Sequence, residues 1–440
     1  MQNSHQVRWL FLIAAGSLAT QQEGIVSNIG PIVYAHAISN PNWIGIHAVQ
    51  RYETRILVCS RREGQNIFVF SEKPDSDYLK YRSEYLGYDD VDETILVPNA
   101  QGTHLAERIM NDPAIIKTLR EMVPQGTEFD TFTIGPDEEK LAQTLGFKII
   151  GRAANEIHGS KSRFRQIVRE AGYSVSPGFE CLASPDDVIS AAEALFDAGA
   201  REIVVKGDLG ASSAQNERFR NSNGWKYQIG EFCTEIEFRS GVVEQWVEDT
   251  EASPSTHYEL NGQGRPIQQP GPWQQVLKGR RQIYKGAKYP ALVSKGMARE
   301  IRRQGYDIAC RYYDLGVQGP LGFDSILKNG EIIWEEANLR KGGVTFIRDF
   351  AVRQGVLDKI VWGLDLENER LKRYSFKRVL KKAKPLLFSS SDTHRTQEGI
   401  VLYNVGCLAE GKIQVIIVAN NIQNAEYYWT WLQKVLFDLP

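Results

Sequence analysis

Residues Gly319 to Gly343 read GPLGFDSILKNGEIIWEEANLRKGG. Asn329-Gly330 between two apolar-rich runs is a strong hairpin signal. It predicts strands over Phe323 to Leu327 and Glu331 to Arg340 around a turn at Lys328-Asn329-Gly330. Alternation along the second strand predicts Trp334, Glu336, Asn338 and Arg340 on one face, with Glu335 on the other. A three-residue loop with Gly330 left-handed pairs Leu327 with Glu331 and Asp324 with Trp334. Asp324 then lies diagonal to Glu336 at about 7–8 Å, close enough to share ions. A two-residue loop would put the two carboxylates on opposite faces, so the chemistry depends on register.

Two carboxylates, an amide oxygen and a guanidinium on a half-buried face are unfavourable unless neutralised. Mg²⁺ carrying the phosphates of a nucleotide would neutralise them, with oxygen ligands at about 2.1 Å. Asp324, Glu336 and Asn338 are the candidate ligands. A solvated strand face is the plain alternative, and Trp334 beside Glu336 counts against it.

Upstream, Ile203-Val204-Val205-Lys206-Gly207 is a β-branched run that delivers a lysine into a small-residue loop, residues 207–214. Gly210, Ser212 and Ser213 allow backbone N–H groups to approach phosphate oxygens, and Lys206 adds a point charge. A flexible hairpin tip is the other reading. Val242 to Val247 is a further strand, holding Glu244 and Trp246 and running into the acidic stretch Glu248 to Glu251. The segment Gly271 to Gly286 is basic and aromatic. At least one of Lys278, Arg280 and Arg281 is a candidate for a carboxylate or phosphate contact, with a solvated loop as the alternative. Leu292 to Cys310 predicts an amphipathic helix with Met297, Ile301 and Ile308 inward.

The first 150 residues alternate strand-like runs (Arg55 to Cys59, Ile67 to Phe70, Thr94 to Val97, Phe129 to Ile134) with helical ones (Ala106 to Met110, Ala114 to Met122, Glu138 to Leu145). This predicts an α/β sheet domain. Neither a G-x-G-x-x-G nor a G-x-x-x-x-G-K-[ST] motif is present. Arg8 and the apolar run after it fit a buried first strand ending at Gly16, although a targeting segment over residues 8–20 has the same composition. The loop Gly24 to Pro31 is an ordinary turn or a ligand loop at a strand end. Toward the other end, Val344 to Val352 and Arg373 to Lys384 read as helices. Gly399 to Val405 and Ile413 to Val418 read as strands, and Ala425 to Phe437 as an aromatic helix.

At 440 residues, 42% apolar and 24% charged, the composition is that of a soluble globular chain of about three domains. A net charge of −2 carries no electrostatic footprint for nucleic acid or a membrane surface. Five scattered cysteines without a C-x-x-C argue against disulfides or zinc and for a reducing, cytoplasmic setting.

Taken in order, these features resemble the ATP-grasp ligases. Asp324 and Glu336-x-Asn338 resemble the family's magnesium site, and Asn338-Leu339-Arg340 resembles the members that carry Asn-x-Arg. D-alanine ligases instead follow the Asn with Thr and a Pro-Gly turn, so their dipeptide-specific residues are not carried over. Lys161, before the helical run Arg163 to Gly172, resembles the lysine at the opening of the core. Lys206 with its loop resembles the phosphate lid. The resemblance implies that Glu244 accepts from the adenine amino group, that backbone groups of Trp246 and Val247 read the adenine edge, and that Glu251 holds the ribose. It implies ATP and Mg²⁺ as cofactors, with Arg340, Lys206 and Arg280 as catalytic residues. The implied fold is an N-terminal pre-ATP-grasp α/β domain (1–155), an ATP-grasp core (156–385) and a small C-terminal αβ domain (386–440). This layout is similar to that of the pheganomycin-type peptide ligases. It implies ligation of a small-molecule carboxylate to an amine, each an amino acid or peptide, through an acyl phosphate, in peptide natural-product biosynthesis. No nucleic-acid or membrane partner is implied, and a homodimer is compatible. A carboxylase, a thiol ligase and a non-catalytic nucleotide-binding protein are the competing expectations.

Overall fold

The computed structural model describes residues 31–36, 49–60, 64–88, 93–208, 215–262, 264–391 and 395–437. Its organising hairpin pairs Gly319–Lys328 with Glu331–Asn338, starting from Lys328 opposite Glu331. The turn is therefore the two-residue Asn329-Gly330, not the three-residue loop expected. Both residues have positive φ, 51° and 76°, the geometry that matches strand twist in tight hairpins. An added Cβ on Gly330 would meet no atom within 4 Å, so only its φ requires glycine. Gly330→Ala is expected to destabilise the protein by about 1 kcal/mol, read as a lower urea midpoint with unchanged secondary structure.

The register is rescued by a bulge. Ser325 faces Trp334, and the ladder then shifts so that Asp324 faces Glu336, Phe323 faces Ala337 and Gly322 faces Asn338. The extra residue is Glu335, and a bulge reverses the alternation that follows it. Ile332 and Trp334 therefore point into the core with Leu327 and Phe323, and so do Ala337 and Leu339 after the bulge. Glu336 and Asn338 share the opposite face with Asp324. The expectation that Trp334 and Glu336 share a face is thus corrected, and the carboxylates meet directly across the ladder.

This hairpin sits in a ten-stranded sheet. Its order runs Gly399–Tyr403, Lys412–Ala419, Ile360–Glu367, Ile283–Tyr289, Trp273–Lys278, Pro254–Leu260, Gly319–Lys328, Glu331–Asn338 and Ser174–Val175, with Ile267–Gln268 added on Pro254–Leu260. The 386–440 segment, expected as a small C-terminal αβ domain, donates two strands to this sheet. Its Ile416, Leu432 and Leu436 share one core with Tyr34, Phe68 and Trp362. The long helix before the hairpin runs Lys295–Asp314, three residues later than expected, because Ser294 caps it through the Met297 N–H at 3.1 Å.

A four-stranded antiparallel sheet, ordered Gly178–Leu182, Gly241–Gln245, Glu202–Gly207 and Asn216–Arg220, is covered by the helices Pro185–Asp197 and Trp225–Glu235. The third sheet is parallel: Glu93–Leu96, Asn66–Val69, Ile32–Tyr34, Glu128–Asp130 and Lys148–Ile149. Arg55 to Cys59, expected as a strand, lies in and just after the 3₁₀ helix Val49–Val58. Residues 53–60 are buried on every side, so no two-residue alternation exists. Helical spacing lets the Arg55 guanidinium return over Tyr52 at 5.0 Å, and it also covers Phe132 and Phe346 at 4.5 and 4.6 Å. The expected first strand before Gly16 and the loop Gly24 to Gly30 lie outside the described residues. Among the described residues no helix is long and apolar enough to cross a membrane.

Candidate active site

A cleft of about 340 Å³ opens between the four-stranded sheet and the central sheet. Asp324, Glu335 and Glu336 line its floor. Burial and the facing Glu336 push the Asp324 carboxyl well above the usual carboxylate range. Asn338 Nδ2 donates to Asp324 Oδ2 at 3.1 Å, and Arg340 donates to Asn338 Oδ1 at 2.5 Å. Rotation of the Asn338 amide would turn its oxygen toward the two carboxylates. Two carboxylates and an amide oxygen form a hard-oxygen set that suits a divalent ion such as Mg²⁺. Among the described residues no group of three or more His, Cys, Asp or Glu side chains forms a metal cluster.

Lys161 starts the helix Lys161–Glu170, two residues earlier than expected, with Ser160 as its cap. Its buried Nζ donates to the Gly207 carbonyl at 3.0 Å and lies 3.9 Å from Glu336. Burial lowers its pKa despite Glu336. Lys206 ends the strand Glu202–Gly207 and reaches Glu244 at 2.6 Å and Glu335 at 2.8 Å. Burial works against its charge, but the two carboxylates outweigh it and hold its pKa up. In turn, Lys206 and Arg165 hold Glu244 below the usual range against its own burial.

Glu244 was expected to accept from adenine. It lines the cleft, with one oxygen facing Arg165 and the other Lys206. The Trp246 N–H is bonded to the Glu202 carbonyl at 2.9 Å, which leaves that residue only its carbonyl for a base. Trp246, Val247 and Glu251 all line the cleft, and the Arg218 guanidinium stacks on the Trp246 ring at 3.8 Å. Gly210, Ser212 and Ser213 lie outside the described residues.

The basic segment Gly271 to Gly286 is a hairpin, Trp273–Lys278 with Ile283–Tyr289. Arg280 and Arg281 line the cleft and reach Glu217 on the facing sheet at 3.6 and 2.5 Å, whereas Lys278 is exposed and outside the lining. Sequence reasoning missed Glu335, because a bulge leaves no mark in a two-residue period. It also missed Arg165, which sits among ordinary polar residues of an amphipathic helix, and Gln275, which hydrogen-bonds Asp324.

Residues 54–147 match the Pre ATP-grasp domain family. Among solved structures, the chain is similar to N5-carboxyaminoimidazole ribonucleotide synthetase from Thermus thermophilus, at 13% identity and a TM-score of 0.57, covering 94% of this chain and 99% of that one. It is similar to biotin carboxylase from Campylobacter jejuni in a β-γ-ATP complex, at 14% identity and 0.58, covering 90% and 88%. N5-carboxyaminoimidazole synthase from Aspergillus clavatus, with ADP and 5-aminoimidazole ribonucleotide, matches at 13% and 0.57, covering 93% and 99%. No curated protein matches the chain in sequence. At these identities the likeness is one of fold. The chain has the ATP-grasp fold, an α/β architecture headed by a pre-ATP-grasp domain.

Proposed function

We propose that the protein is an ATP-dependent ligase that joins a carboxylate to an amine through an acyl phosphate, releasing ADP and phosphate. The observation that carries this reading is the cluster of Asp324, Glu336 and Lys206 in the lining of the cleft, with Asn338 bonded to Asp324 and Lys161 3.9 Å from Glu336. Phosphoryl transfer needs charge neutralisation and alignment more than covalent help. Asp324, Glu336 and Asn338 would hold Mg²⁺, which would supply neutralisation of phosphate charge. Lys161 and Lys206 balance the charge that develops on the transferring group, and Arg340 orients Asn338 beside it. Trp246, Val247 and Glu251 line the side of the cleft suited to the nucleoside. Arg280 and Arg281, tied to Glu217, close the cleft over the phosphates and limit water at the acyl phosphate.

The finer reading is a peptide ligase of natural-product biosynthesis, with an amino acid or peptide on each side. Likeness to biotin carboxylase favours a second reading, in which bicarbonate takes the place of the organic carboxylate. Incubation with ATP, Mg²⁺ and paired amino acids separates the two. A ligase releases ADP only with carboxylate and amine together and yields an amide mass. ADP release that depends on bicarbonate would overturn the ligase in favour of the carboxylase.

A further inference from the structure

One wall of the cleft holds a stacked pair that the ligase reading leaves without a task. Arg218, on the strand Asn216–Arg220, faces Val204 across the ladder, and both line the cleft with Trp246. The Arg218 guanidinium lies 3.8 Å from the centre of the Trp246 ring, so one of its faces is covered by indole. Glu202 fixes both members of the pair. Its backbone carbonyl accepts the Trp246 N–H at 2.9 Å, and its carboxylate accepts from Arg218 and Arg220. The Arg218 carbonyl in turn accepts from Arg280, on the hairpin of the central sheet, at 2.5 Å. The stack is therefore braced from both sides of the cleft.

Packing does not account for the arginine. The Trp246 backbone is already anchored by Glu202, and Arg220 supplies Glu202 with a cation of its own. The Arg218 Nε is buried without a hydrogen-bond partner among the described residues, an unfavourable arrangement for a purely structural arginine. The side chain keeps 19% exposure and lines the cleft, so the guanidinium face opposite the indole is the one left for a ligand. A guanidinium plane stacks well on flat aromatic rings. We propose that Arg218 is the shelf on which the base of the nucleotide lies, its guanidinium between the base and Trp246. This rests on the ATP part of the ligase reading and adds a base-binding residue to it. Trp246 then acts at one remove: its ring holds the plane of Arg218 and does not touch the base. The edge of the base is left to backbone groups of Trp246 and Val247, which stacking does not occupy. Bound in this way, the base contributes affinity through its ring plane and the triphosphate through its charge, so the two contributions separate.

The test is equilibrium dialysis of ATP and of inorganic tripolyphosphate, each with Mg²⁺, against wild type, Arg218→Lys and Arg218→Ala. Lysine keeps the charge that faces Glu202 and lacks the plane. Arg218→Lys should weaken ATP on the order of 5–30-fold, the range of a lost base stack. Tripolyphosphate should bind to it as it does to wild type, and the urea midpoint should not move. Arg218→Ala should weaken ATP at least as much. ATP affinity at the wild-type level in Arg218→Lys overturns the proposal. Equal losses for ATP and tripolyphosphate overturn it too, since the arginine would then serve the phosphates or the shape of the cleft. So does a wild type that binds tripolyphosphate as tightly as ATP. If the expected loss appears but wild type forms no amide from any carboxylate and amine, the shelf stands and the ligase falls. A wild type that binds no ATP removes both.

Discussion

Glu336→Gln is expected to slow ligation by roughly 10²–10³, or about 3–4 kcal/mol of transition-state stabilisation. The substitution keeps volume and hydrogen-bonding capacity and removes one negative charge opposite Asp324. The fold should not suffer, because Glu336 and Asp324 repel when no cation lies between them, and the loss of one charge relieves that repulsion. Excess Mg²⁺ should restore part of the rate if the defect is in metal affinity. The adjacent Glu335 does not serve as an inert control, since the bulge turns it toward Lys206. Glu331→Gln, at the exposed turn end of the same strand, is the better comparison. Equal turnover of Glu336→Gln and Glu331→Gln would dismiss the metal site.

Lys206→Ala should show the second large effect, and on two readouts. The sequence alone suggests a loop-flanking lysine whose removal spares the fold. In the structure Lys206 is buried and paired with Glu244 and Glu335. Removing it leaves Glu335 without its cation and Glu244 with Arg165 alone, and breaking a buried pair of this kind typically destabilises by about 3–5 kcal/mol. Nucleotide affinity should fall about 10–100-fold with the loss of a charged hydrogen bond. The pH dependence gives a further check. The Glu244 pKa is depressed in the fold, so its contribution is complete above the ordinary glutamate range and fades as pH drops through the folded value. The raised Lys206 pKa makes its share vanish only on the alkaline side. Lys206→Ala should therefore lose less stability on acidification than wild type does. A variant with wild-type urea midpoint and acid profile would show that the network does not stabilise the protein.

Much of this was legible in the residues, and the failures have physical causes. Asn329-Gly330 announced the hairpin because few other dipeptides tolerate two positive φ values in succession. The strand Glu202–Gly207 and the helix Pro136–Leu145 were legible from β-branching and from three- and four-residue spacing. What the residues hid was register. Glu335 and Glu336 are chemically identical, and only the shift between Asp324 and Ser325 decides which one meets the partner carboxylate. Partner choice was hidden as well. Nothing near Glu244 in sequence says that Arg165, 79 positions away, occupies one of its oxygens. The tail strands were visible as strands, but whether they built their own core or extended another's is a tertiary outcome that local preference does not encode.

That extension sets the order in which the chain can mature on the ribosome. Lys412–Ala419 lies between Gly399–Tyr403 and Ile360–Glu367, and it covers the ladder edge of the latter along eight residues. Until residue 419 has been made, Val361, Leu364 and Leu366 belong to a strand with one open, apolar edge. Such edges recruit other strands. A nascent chain stalled before position 412 is therefore the aggregation-prone species, and chaperone dependence should fall sharply once this strand is inserted.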